Sequence, residues 1–381
     1  MKILLSHQPI AVSGGAERAT LDLGAALKDR GHEIFLWGPW HSCPEFTRIA
    51  ARAGLVILEC HAATHFGELL ALRATCRQRG IDIILSHGRR YNALTPYFMT
   101  GITTQHVPVL RAQVSTWDEP RKKTLIYRVV QPLWNCFWMH VLRNESRIIC
   151  ITSAVAKDSQ DTLRSRSSQA IVIYDAVGIC APKMSNYREK PASPFQIAVV
   201  GRLQPVKRFE LIVPLMQEIL ISDQDVLVEI AGTGECYESI SHAIHAAGLA
   251  NHIRLLGHQE DTGELYRRSH VLVHFRSDEA FGRIYVEAQR FGLPVVCVRG
   301  GGTAEVVPDG HAGFLHAPND IKGMAQSVLR LKHDRILYST LSENALTWSE
   351  HFSVERMAQQ YELVFNHLLA NAAVTSGRVQ L

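Results

Sequence analysis

Several features are missing from this 381-residue sequence, and each absence narrows the reading. Its eight cysteines (Cys43, Cys60, Cys76, Cys136, Cys150, Cys180, Cys236 and Cys297) form no C-x-x-C pair. Scattered thiols of this kind fit a reducing compartment better than a disulfide framework. No apolar run is long enough to span a bilayer, and the amino terminus enters a strand at once, Lys2-Ile3-Leu4-Leu5-Ser6, with no signal-peptide pattern. A cytoplasmic protein is expected. No low-complexity tract or short internal repeat appears. The first glycine turn, Ser13-Gly14-Gly15-Ala16, lacks G-x-G-x-x-G, which counts against a dinucleotide-dependent dehydrogenase. Neither sign of charge dominates, at +4 overall. The balance is uneven, however: residues 1–180 carry 21 Lys/Arg and 14 Asp/Glu, or +7, and residues 181–381 carry 19 and 22, or −3. The first half is the side expected to meet something anionic.

What is present is ordinary soluble composition, 46% apolar and 20% charged, arranged in a strict alternation. Short β-branched runs such as KILLSH (2–7), EIFLWG (33–38), DIILSH (82–87), QIAVVGR (196–202), VLVEIAG (226–232) and VVCVRG (295–300) are separated by helical stretches such as Ala16–Arg30 and Arg208–Ile221. Runs that are apolar throughout mark strands covered on both faces, so the fold class is α/β with parallel sheets. Two such series predict two doubly wound, Rossmann-like domains. The proline-containing stretch 181–194 is the expected linker between residues 1–180 and 195–350. Residues 351–381 read as a terminal amphipathic helix with Met357, Tyr361, Val364, Leu368 and Leu369 on one face.

Open parallel sheets bind ligands beyond the carboxyl ends of their strands, so the loops that follow strands carry the chemistry. Arg202 and Lys207 follow the first strand of the second half. Two cations beside helix-terminal amides suit a phosphate, although a solvated charge pair explains them too. Gly232, in Ala231-Gly232-Thr233-Gly234, and Leu256, in Leu256-Gly257-His258, end the next two strands; close backbone approach to a ligand and plain tight turns account for these equally. The stretch SDEAFGRIYVEAQRFGLPVVCVRGGG (277–302) places Glu279 in a loop, Phe281-Gly282 at a helix start and Glu287 within that helix. A carboxylate offers two acceptor oxygens and no donor, which suits sugar hydroxyls or a ribose diol. Gly301, Gly302 and Thr303 supply a further run of amides.

These pieces, VGRLQPVKR (200–208), EIAGTGE (229–235), LLGH (255–258), EAFGRIYVEAQRFGLPVV (279–296) and GGGTAEVVPDGHAGFL (300–315), occur together in an order that resembles the retaining glycosyltransferases of family 4, also described as glycosyl transferases group 1. The resemblance covers nearly the whole chain and implies the GT-B fold, two Rossmann-like domains facing across a cleft. The terminal helix would then pack back on the first domain. It also implies transfer of a sugar from a nucleotide sugar to an acceptor hydroxyl with retained anomeric configuration, in polysaccharide, lipopolysaccharide or glycolipid assembly. Family frequency favours a UDP-sugar. In that scheme Arg202 and Lys207 offset charge on the departing diphosphate, Glu279 positions the sugar and Glu287 the ribose. Gly14 and Gly15 face the diphosphate and acceptor, and His106 bonds the sugar, with His87 the second choice. Departures from the family pattern fall at Arg208, Arg283 and Asp175.

No metal or other cofactor is expected: the D-x-D Asp223-Gln224-Asp225 precedes a strand and lies at the wrong end of a sheet, and Cys60-His61-Ala62-Ala63-Thr64-His65 lacks a fourth ligand. The basic aromatic segment 121–147 fits either the first domain's core or an anionic membrane surface beside a lipid-linked acceptor, which would make the protein peripheral on the inner face of the cytoplasmic membrane. Nucleic acid is not an expected partner. Alternatives on the same fold are a sugar phosphorylase, a nucleotide-sugar epimerase and a nucleotide-sugar binding protein without turnover.

Overall fold

The computed structural model describes residues 1–7, 14–38, 44–58, 64–115, 136, 137, 139–143, 145, 147–163, 170–178 and 193–375. The chain divides into two compact units, Met1–Ala176 with Val354–Leu381, and Val177–Ser353.

In the first unit the elements run β1 (Lys2–Ser6), α1 (Gly15–Asp29), β2 (Glu33–Trp37), α2 (Pro44–Arg52), β3 (Val56–Leu58), α3 (His65–Arg79), β4 (Ile83–His87), α4 (Arg89–Met99), β5 (Gln105–Leu110), β6 (Ile148–Cys150), α5 (Ser153–Leu163) and β7 (Ala170–Val172). The strands form one sheet of order β3-β2-β1-β4-β5-β6-β7, parallel throughout. Leu4, Phe35, Leu72, Ile84 and Met99 pack in its core. Local signals set the helix ends: Thr64 Oγ1 caps α3 by accepting from Gly67 N at 3.1 Å, and Gly80 stops it in the left-handed conformation at φ 63°.

The second unit runs β8 (Phe195–Val200), α6 (Ile212–Ser222), β9 (Val226–Ala231), α7 (Tyr237–Ala246), β10 (Ile253–Gly257), α8 (Gly263–Arg268), β11 (Val271–His274), α9 (Arg283–Gln289), β12 (Val295–Val298), α10 (Thr303–Val306), β13 (Gly313–His316), α11 (Ile321–His333) and α12 (Arg335–Ser349). Its sheet has the order β10-β9-β8-β11-β12-β13, again parallel. Val199, Phe209, Met216, Val228, Val273, Val296 and Met324 are among its buried core residues.

The last helix, α13 (Val354–Thr375), belongs to the first unit. It buries Met357, Ala358, Tyr361, Phe365 and Leu368. Glu362 on the same helix accepts from Arg30 Nη2 at 2.6 Å and lies 2.7 Å from His32 Nε2, tying α13 to the end of α1.

Both sheets reverse their winding direction at one place, between β1 and β4 in the first and between β8 and β11 in the second. The carboxyl ends of those strand pairs are where an open parallel sheet leaves a crevice.

Candidate active site

In the second unit the loops after β8 and β11 meet beyond the reversal point. Lys207 ends a short 3-10 turn, Pro205–Lys207, and its Nζ donates to Glu279 Oε2 at 2.5 Å. Glu279 also has His274 Nε2 at 3.5 Å and Arg276 Nε at 4.0 Å, while Arg276 donates to Asp278 at 2.7 Å and 3.2 Å. Burial alone would raise the Glu279 carboxyl. The Lys207 charge, His274 and Arg276 outweigh it and hold the group well below the usual carboxylate range, so it stays ionised. Burial pushes His274, at the end of β11, down to about 4 against the opposing pull of Glu279. The Lys207 and Arg276 charges deepen that depression, so the imidazole is neutral at neutral pH. One carboxylate thus organises a lysine, an arginine and a neutral histidine at the mouth of the second sheet. Arg202 sits on the same loop as Lys207, directly after β8.

Two of the glycines predicted to approach a ligand, Gly232 and Gly301, lie tight against neighbouring backbone. Gly232 has φ 150°, and a Cβ there would collide with the Gly201 carbonyl; its N–H donates to Gly257 O at 2.8 Å. The loops after β8, β9 and β10 are therefore latched to one another. Gly301 has φ 52°, and a Cβ there would strike the Glu279 carbonyl, which also accepts from Gly302 N at 2.8 Å. Thr303 is buried, and its hydroxyl accepts from Gly300 N at 2.9 Å. The triple glycine is thus the mould against which the Glu279 loop is cast. Gly282 opens α9 in the left-handed region, and Phe281 beside it is buried edge-on to Phe352 at 5.4 Å.

Glu287 is buried on α9, where Tyr266 Oη of α8 donates to its Oε2 at 3.2 Å and Arg283 Nε lies 3.9 Å from its Oε1. Leu256 stands at a register shift in β10, and its carbonyl accepts from the Gln259 side chain at 2.9 Å. In the first unit Gly14 precedes the helix that Gly15 opens, and a Cβ on Gly14 would meet the buried Glu17 carboxylate.

His106 is placed differently from the expectation. It is the second residue of β5, so it opens a strand rather than closing one, and it lies toward the amino end of the sheet. Its Nε2 is 2.7 Å from Ser86 Oγ and its Nδ1 is 3.0 Å from Glu145 Oε1. His87 ends β4 at the reversal point, and His7 follows β1 beside it, with ring centroids 5.6 Å apart. The shared endings of Ile3-Leu4-Leu5-Ser6-His7 and Ile83-Ile84-Leu85-Ser86-His87, in register at Ser6 and Ser86, were the available signal for this pair. Tyr266, His274 and Arg276 likewise carried no motif of their own.

Asp223 and Asp225 lie just before β9 and are held by Lys332 Nζ at 2.6 Å and 3.5 Å, with Ser193 Oγ 2.7 Å from Asp225. Cys60 and His61, most of segment 121–147 and residues 181–192 lie outside the described residues. Among the described residues no helix is long and apolar enough to cross a membrane.

Two parallel sheets of this order, each with its ligand edge at a winding reversal, form a GT-B fold. Solved structures agree. Anabaena HepE in complex with UDP superposes with a TM-score of 0.80 at 19% identity, over 96% of this chain and 100% of that one. Sucrose-phosphate synthase from Thermosynechococcus elongatus gives 0.77 at 17%, over 97% and 99%. Among curated proteins, an uncharacterized glycosyltransferase of Methanocaldococcus jannaschii is 28% identical over 61% of this chain and 62% of its own. N-acetyl-alpha-D-glucosaminyl L-malate synthase of Bacillus anthracis is 26% identical over 45% of each. The chain spans less than two thirds of the length of either relative. The family model for Glycosyltransferase Family 4 matches residues 13–178, and that for Glycosyl transferases group 1 matches residues 182–348. The chain belongs to this glycosyltransferase family.

Proposed function

We propose that the protein is a retaining glycosyltransferase that moves a sugar from a UDP-sugar to an acceptor hydroxyl without a metal ion. The observation that carries this reading is the largely buried Lys207–Glu279 pair at the reversal point of the second sheet, framed by glycine-latched loops. Lys207, already oriented by Glu279, and Arg202 on the same loop are the cations that would face a diphosphate. The bond between the anomeric carbon and the diphosphate oxygen breaks as the acceptor oxygen bonds to that carbon on the same face. The acceptor proton passes to the departing phosphate oxygen, and the nucleoside diphosphate leaves. Cationic stabilisation of the leaving charge in a water-poor site is the main catalytic contribution. Glu287, fixed by Tyr266, accepts from the ribose hydroxyls. His106 is engaged with Ser86 and Glu145 and takes no part in the transfer.

Titration calorimetry with UDP, GDP, ADP and dTDP, followed by turnover of the matching sugar donors, tests this. UDP binding is expected to persist in EDTA, and the product should keep the donor's anomeric configuration by proton NMR. Glu287→Ala should weaken UDP binding about tenfold or more, whereas Glu279→Gln should chiefly lower kcat. Unchanged UDP affinity in Glu287→Ala would refute the ribose assignment.

A further inference from the structure

The first unit contains polar groups that the proposed transfer leaves without work. Arg111 directly follows β5, and its side chain is 9% exposed. Nη1 donates to Asp175 Oδ2 at 2.9 Å, while Nε and Nη2 have no partner among the described residues. Those two nitrogens form the edge of a guanidinium that makes two parallel N–H bonds to one planar oxygen pair. Burying two charged donors unpaired is costly. His87 beside it is 1% exposed, and neither ring nitrogen has a partner among the described residues. The Tyr361 hydroxyl of α13 is also buried, without a partner among the described residues, and close enough to feel the charges of Arg111 and Asp175. Burial, with the Arg111 charge adding to it, holds His7 and His87 neutral, so His87 offers one donor and one acceptor. The cluster lies at the carboxyl ends of β1, β4 and β5, across the winding reversal of the first sheet.

We infer that Arg111, with its buried and unpaired Nε–Nη2 edge, and His87 form a subsite for an oxyanion, a carboxylate or phosphate carried by the acceptor. The inference rests on the glycosyltransferase reading for the word acceptor, not for the oxyanion itself. Asp175 fixes the guanidinium plane and balances its charge before the ligand arrives. A donor-only fork matches a group with two acceptor oxygens on one atom better than a hydroxyl, which brings its own proton. The +7 balance of residues 1–180 favours the same sign of partner.

The test uses the full chain and three readouts. First, inorganic phosphate and malonate are titrated into wild type, Arg111→Gln, Arg111→Lys and His87→Gln, with near-ultraviolet circular dichroism to confirm folding. Binding in wild type that weakens about tenfold or more in Arg111→Gln is expected, with only partial recovery in Arg111→Lys, which restores charge without the fork. His87→Gln gives a second, gentler loss should Arg111→Gln fail to fold. Second, acceptor sugars with and without a carboxylate or phosphate are compared by kcat/KM. Wild type should favour the acidic ones, and the variants should lose that preference through KM. Third, phosphate should compete with the acidic acceptor. Phosphate binding without competition would place a free ion there and overturn the acceptor assignment. No oxyanion binding by folded wild type would overturn the subsite altogether. Absence of UDP binding and of sugar transfer, with phosphate binding intact, would instead remove the glycosyltransferase reading and leave the oxyanion site standing.

Discussion

Lys207 and Glu279 make sense only as a pair. Each is largely buried, and removing one leaves the other as an uncompensated charge. Glu279→Met alone should cost about 3 kcal/mol in urea denaturation, and Lys207→Met about as much, while the double variant should recover most of the loss. Simple addition of the two costs would mean that the groups do not interact. His274 adds a pH dependence. Its pKa falls from an ordinary 6.5 to about 4 on folding, so the unfolded chain binds the extra proton between those values. Stability from this group is therefore complete above pH 6.5 and drains away as pH falls toward 4, by about 3 kcal/mol at most. His7, lowered to about 3, and His87 act in the same direction. The urea midpoint should drop across that window in wild type and drop less in His274→Gln. The carboxylates and the lysine were legible through their place in a recurring block, but their mutual bond was not. Nothing in Lys207 or Glu279 taken singly says that the two loops converge. His106 was misplaced for a related reason. Pro108 and the polar start Gln105-His106 disguise β5, so a histidine that opens a strand read as one that follows a strand.

At the scale of elements, most strands were legible because runs such as VLVEIAG can be covered on both faces in only one way. The exceptions, β5 and β13, are short or broken by polar residues and proline. The glycines were legible as special but not as to why. Gly232 and Gly301 accommodate a neighbouring carbonyl, and the identity of that neighbour depends on strand order, which spacing does not encode. Gly232→Ala or Gly301→Ala must push whole loops apart and adopt an unfavourable backbone, costing about 3 kcal/mol. The expected readout is a lowered unfolding midpoint together with weakened UDP binding, because the loop that moves carries Glu279 or adjoins Arg202. An alanine variant with wild-type midpoint and affinity would contradict the latch.

For the whole molecule, the decisive feature is that the first unit is assembled from both ends of the chain. Six buried apolar side chains of α13, Val364 among them, and the Glu362 bridge to Arg30 and His32 close its core. At about 2 kcal/mol for each buried side chain, their loss approaches the total stability of a typical domain. Ending the chain after Ser353 should therefore strip amide-exchange protection from β1, β2 and β4 while leaving β8, β9 and β11 protected. Equal protection in both sheets would show that α13 is dispensable.

This routing also sets a timetable for synthesis. A ribosome emits the strands of the first sheet early but their closing helix only after the intervening unit is complete. Until then a nascent chain presents an unfinished greasy face to whatever chaperone is near the exit tunnel, and a messenger that stops before the α13 codons leaves that face uncovered.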